Sequence, residues 1–125
     1  MKDFTFVTDV AEAFVRSADS NVENEIFNVG SGDTYSINYL VSLLGGEGIH
    51  LPKRPGEPDC TLADIKKISR LLHWQPKINF EEGVKVVLEN IEHWSDAPVW
   101  EKESISKATH EWFMFLGHHS DSAAE

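Results

Sequence analysis

Residues 53–94 constrain the fold more than any other stretch. A Lys-Arg-Pro-Gly-Glu-Pro loop is followed by two segments whose apolar residues recur at helical spacing, each led by a capping side chain. Asp64 stands before Ile65, Ile68, Leu71 and Leu72. Asn79, with Glu82 three residues on, stands before Phe80, Val84, Val87, Leu88, Ile91 and Trp94. A short Asp or Asn side chain accepts N–H groups that the first helical turn leaves without partners, so the spacing predicts helices starting at 64 and at 79. The second stripe continues for about four turns and must be buried against another element.

The rest of the chain is cut into short elements by glycine and proline, with no internal repeat and no low-complexity linker. Asp9 with Glu12 resembles a capping box and predicts a helix over 9–19 with Val10, Ala13, Phe14 and Ser17 on one face. Residues 25–29, Glu-Ile-Phe-Asn-Val, read as a strand entering the turn Gly30-Ser31-Gly32-Asp33. Ser36 caps a helix with Ile37, Leu40, Val41 and Leu44 on its inner face, ended by Gly45-Gly46. Ile49-His50-Leu51 reads as a second strand, because the residue before Pro52 is pushed toward extended geometry. Residues 101–116 return to helical spacing with Ile105, Ala108, Trp112, Phe113 and Leu116, and 118–125 read as a disordered tail. The expectation is an α/β, helix-rich domain over 1–117, with short strands and four to five helices.

Net charge is −10, from 21 acidic and 11 basic residues. That field repels nucleic acid and anionic membranes, but it does not exclude a small phosphorylated ligand, since Lys53-Arg54 dominates within a Debye length of about 8–10 Å. The N-terminal MKDFTFVTDV lacks the apolar run of a signal peptide, and no stretch reaches the roughly 20 apolar residues of a spanning helix, so a cytoplasmic protein is expected. The single Cys60 fits a reducing compartment and reads as a buried thiol, with no His partner by motif. His50, His73, His93 and His110 lack the i, i+3 or i+4 pairing of a helical metal site, and His118-His119 falls in the tail. Trp94, Trp100 and Trp112 read as core rather than as a base-stacking platform.

The order of these elements resembles the C-terminal part of extended short-chain dehydrogenase/reductases of the NAD-dependent nucleotide-sugar epimerase and dehydratase family. KDFTFVTDVAEAFVRSA is similar to the family's Arg-Asp-Phe/Tyr segment and following helix, and FNVGSGDTYSINYLVSLL to its strand, Gly turn and helix. PKRPGEPDCTLADIKKISRLLHWQPKINFEEGVKVVLENIEHW is similar to its phosphate-binding loop and last two helices, so the match spans about residues 2–94. Residues 94–116 resemble an extension found in some members.

The resemblance implies that Arg54, in Arg-Pro-Gly-Glu, contacts the diphosphate of a nucleotide sugar, with Lys53 beside it. Lys2, standing where the family has arginine, keeps the charge but loses the bidentate fork. It also implies a separate N-terminal Rossmann domain that binds NAD, which this chain lacks. Gly30-Ser31-Gly32 has no third glycine at fingerprint spacing. No Tyr-x-x-x-Lys pair is present either: Tyr35 is followed at plus four by Tyr39, and Tyr39 by Leu43. The expectation is therefore a truncated, catalytically inactive substrate-binding domain with weak nucleotide-sugar binding and no cofactor or metal of its own. It would depend on a Rossmann partner or form a homo-oligomer, its aromatic C-terminal helix covering apolar surface. The alternative is a non-catalytic assembly module derived from that domain.

Overall fold

A computed structural model of the chain describes residues 1–117; the tail expected over 118–125 lies outside the described residues. Six α-helices follow in order: α1 (Val7–Ala18), α2 (Ile37–Leu44), α3 (Lys66–Leu72), α4 (Phe80–Glu89), α5 (Lys102–Ala108) and α6 (His110–Leu116), with a 3-10 turn at Ile91–Trp94. None is long and apolar enough to cross a membrane.

Two caps are formed as expected. Ser36 accepts the Tyr39 N–H at the start of α2, Asn79 accepts the Glu82 N–H at the start of α4, and Gly45 closes α2 at φ 73°. Asp64 accepts the Lys66 N–H at 3.0 Å from just outside α3.

Asp9 is not a cap. Helix α1 starts at Val7 after Phe6, and Asp9, inside its first turn and 2 % exposed, points into the protein. Its carboxylate accepts the N–H groups of Lys77 and Ile78, both at 3.1 Å, while its main-chain carbonyl accepts Trp74 Nε1–H at 3.0 Å. A buried carboxylate is tolerable here because both oxygens are hydrogen-bonded. Trp74 is fully buried, and with Ala13, Ile68 and Leu72 it forms the core, flanked by Val22, Phe27, Val29 and Ile65. Phe14, expected on the core face, is 73 % exposed. A second apolar contact joins α2 to α4, with the Tyr39 ring 5.8 Å from that of Phe80, which also stacks on Phe4 and Tyr35 at centroid distances of 4.9 and 4.3 Å.

The expected strands do not form. Among the described residues the one pairing is an antiparallel bridge between Lys2 and Tyr35. A strand needs a hydrogen-bonding neighbour, and none of the described residues pairs with 25–29 or 49–51. The segment nevertheless alternates in burial: Phe27 and Val29 pack on the core while Ile26 is 85 % exposed.

The helices exceed the expected four to five because 101–116 is split at Thr109, whose hydroxyl bonds the Ile105 carbonyl at 2.8 Å. The long stripe also ends early, at Glu89, where the Asn90 amide takes the Val86 carbonyl. Trp94, Trp100 and Trp112 are exposed rather than core, and Cys60 is exposed rather than buried.

Candidate functional site

The loop that carries Lys53 and Arg54 is shaped by its own sequence. Pro55 and Gly56 occupy the central positions of a turn closed by the Glu57 N–H on the Arg54 carbonyl at 3.3 Å, with Gly56 at φ 74°. This is the type II pattern, in which Pro fixes the first central residue and Gly supplies the left-handed second. The turn brings its ends together, so Arg54 Nε lies 3.0 Å from a Glu57 carboxylate oxygen.

Lys2 reaches the same carboxylate at 3.5 Å and donates to the Pro58 carbonyl at 3.2 Å. Its position is fixed from both sides, by the bridge to Tyr35 and by the neighbouring Asp3. The Asp3 carboxylate accepts the Ser31 N–H and hydroxyl, both at 2.7 Å, and the Ala63 N–H at 3.0 Å. Burial pushes this carboxyl up, but the bonds from Ser31, Ala63 and Thr5 outweigh it and leave Asp3 below its ordinary value. Arg54 and Lys2 are thus brought together on Glu57. Lys53 is not: it turns to Asp59 and is 66 % exposed.

Glu57 is held below the usual carboxylate range, chiefly by the hydrogen bond from Arg54, and Asp59 likewise by Lys53. Arg54, Lys2 and Lys53 are therefore already matched by acids, which a ligand has to displace.

Sequence reasoning did not find the neighbour across the loop. Trp112 on α6 donates its Nε1–H to the Pro55 carbonyl at 2.8 Å, and the Arg54 guanidinium lies 5.4 Å from the Trp112 ring centroid. With 57 residues separating Trp112 from Pro55, no local pattern announces the contact. Behind it, loop and helices line a cleft of about 690 Å³ containing Lys53, Arg54, Lys102 and His110. A smaller apolar cavity of about 330 Å³, lined by Phe4, Phe6, Leu40 and Phe80 among others, lies between α2 and α4.

The turn Gly30-Ser31-Gly32 does not fit a dinucleotide. Its Ser31 amide is taken by Asp3, and a Cβ on Gly30 would lie 2.5 Å from an Asp3 oxygen, so a carboxylate occupies the position an incoming phosphate would need. Nor does a helix follow directly, as α2 starts at Ile37. Burial pushes the Tyr35 hydroxyl up, and the bond to Glu81 at 2.8 Å does the same to Tyr39, so both remain protonated. Among the described residues no three His, Cys, Asp or Glu side chains are grouped to hold a metal.

Several known proteins are similar to this chain. The chain is 38% identical over 93 residues to a putative UDP-glucose 4-epimerase of Methanocaldococcus jannaschii, covering 70% of this chain and 30% of that protein. It is 31% identical over 111 residues to the UDP-glucuronate 4-epimerase of Thermodesulfobacterium geofontis, covering 83% of this chain and 31% of that one. Among solved structures, the UDP-glucose 4-epimerase of Thermotoga maritima, crystallised with UDP-glucose, superposes with a TM-score of 0.67 at 31% identity, over 73% of this chain and 31% of that one. No family model matches. The chain belongs to the nucleotide-sugar epimerase family of extended short-chain dehydrogenase/reductases, as a counterpart of their C-terminal part. It spans about three tenths of the length of these relatives.

Proposed function

We propose that this chain carries the diphosphate end of a nucleotide-sugar site, with Arg54 as the principal contact, Lys2 beside it and Lys53 at the rim. The observation that carries the reading is the type II turn at Pro55-Gly56, which sets the Arg54 guanidinium and the Lys2 ammonium on one shared carboxylate. A diphosphate is the ligand such a pair suits, because guanidinium offers a fork of donors and ammonium a second point charge. The relatives named UDP-glucose and UDP-glucuronate 4-epimerase support the class of ligand. In this reading the chain is equivalent to the substrate-binding region of those enzymes. Hydride and proton transfer belong to a Rossmann domain carrying NAD and a tyrosine-lysine pair, whether in a partner protein or elsewhere.

Binding by this half of a site is weak, at about 1 mM, since a few charge-assisted contacts must compensate for lost internal ion pairs. Thermal denaturation with uridine, cytidine, guanosine and thymidine diphosphate sugars tests it. Stabilisation by at least one of them should vanish in Arg54→Ala, and an equal response from that variant removes Arg54 from the site.

A second reading, an assembly module or homo-oligomer, is favoured by the exposed apolar groups at Phe14 (73 %), Ile26 (85 %) and Val99 (88 %). Light scattering across a concentration series checks it, and a clean 14.1 kDa monomer at the highest concentration would end it.

A further inference from the structure

We infer that α5 and α6 form the outer wall of the anion site, with Lys102 and His110 joining Lys53 and Arg54 around the pyrophosphate group of a nucleoside diphosphate ester. The inference deepens the diphosphate reading above and rests on it. The residues of both helices and of the loop line one cleft of about 690 Å³, within the size range of small-ligand sites, roughly 300–1,000 Å³. Four of its lining residues carry basic nitrogen, against one acid, Glu57, in a chain whose net charge is −10. Such a local reversal of sign draws a small anion to one place on a surface that otherwise repels it.

The commitments of these groups differ. Lys53 is paired with Asp59 and Arg54 with Glu57, whereas neither Lys102 nor His110 has an ion-pair partner among the described residues. A ligand therefore gains contacts with the outer wall without breaking an ion pair there, while contacts with the loop require displacing Glu57 or Asp59. Ser106 and Thr109 line the same cleft, and Leu51, Ile105 and Phe113 give it an apolar side on which a nucleoside or sugar can lie. The Trp112 bond to the Pro55 carbonyl and its ring against Arg54 set the spacing between wall and loop. None of these wall residues belongs to the Arg-Pro-Gly-Glu segment, so they add a ligand contact that the loop sequence does not encode.

The test is calorimetric titration of the full 125-residue chain with uridine diphosphate and, separately, inorganic pyrophosphate. Four proteins are compared: wild type, the double variant Lys102→Ala/His110→Ala, Arg54→Ala, and Lys85→Ala, which removes a remote charge from α4. Far-UV circular dichroism confirms that each keeps its helices. The double variant should bind both ligands about five- to tenfold more weakly, and Lys85→Ala should stay within about twofold of wild type. If the double variant matches wild type while Arg54→Ala loses binding, the loop remains a diphosphate site and the outer wall is refuted. If wild type binds neither ligand, the wall and the loop reading fall together. A further wall variant, Lys102→Glu, should also weaken binding of both ligands, and an unchanged affinity would overturn the wall independently.

Discussion

Trp74 and Trp112 make the same hydrogen bond, indole N–H to a main-chain carbonyl, at 3.0 and 2.8 Å, and yet they do opposite things for the protein. Trp74 is fully buried among Ala13, Ile68 and Leu72 and joins α1 to the segment leading into α4. Trp112 is 43 % exposed and joins the α5–α6 pair to a loop whose charged side chains reach solvent. The hydrogen bond is worth about 1 kcal/mol net in either place, so the difference in weight comes from burial. The first contact holds the fold, while the second sets the shape of a cleft.

The largest expected effect breaks the comparison on the side of Trp74. Trp74→Ala should cost about 3–5 kcal/mol in urea denaturation, with Trp112→Ala costing about 1–2 kcal/mol. Equal losses would mean that the two indoles are equivalent after all.

Asp9→Ala comes next, because it strands the Lys77 and Ile78 N–H groups inside the protein. A loss of about 2–3 kcal/mol is expected, and a neutral result would place those amides in contact with water.

Asp3 gives a pH test. Its folded value is depressed, so its contribution to stability is fully present above the ordinary value of 3.8 and is lost as pH falls through the lower folded value. Thermal midpoints should fall as pH is taken below 3.8, and Asp3→Asn should flatten part of that fall; an unchanged slope would remove Asp3 from the acid response.

The smallest effect concerns the ligand. Glu57→Gln should leave stability nearly untouched while strengthening uridine diphosphate binding about three- to fivefold, because Arg54 and Lys2 are then released from their shared acid. Weaker binding in that variant would show that Glu57 helps to hold the ligand rather than competing with it.

Much of the fold was legible because short side chains at helix starts and glycines at helix ends act within a turn of where they stand. Ser36, Asn79 and Gly45 did what their spacing implied. The turn at Pro55-Gly56 was legible for the same reason. What escaped depended on distance along the chain: Asp9 read as a cap until its partners 68 and 69 residues away were placed, and Trp74 gave no signal of being the core. The apolar stripe through Ile91 and Trp94 predicted burial, yet they are 52 % and 64 % exposed, since a stripe states what a helix can bury and not whether a surface is there to receive it. The same holds for 25–29, which alternates like a strand but has no partner strand among the described residues.

The central claim, that the Arg-Pro-Gly-Glu turn is a diphosphate site, is tested most directly by titrating uridine diphosphate into the nitrogen-15-labelled full chain and following each amide by NMR. The account predicts concentration-dependent shifts at Arg54, Gly56 and Glu57 and at the Trp112 indole N–H, with the Trp74 indole N–H unmoved. All of these shifts should disappear in Arg54→Ala. Shifts confined to the apolar cavity around Phe4 and Phe80, or a response that survives Arg54→Ala unchanged, would contradict it.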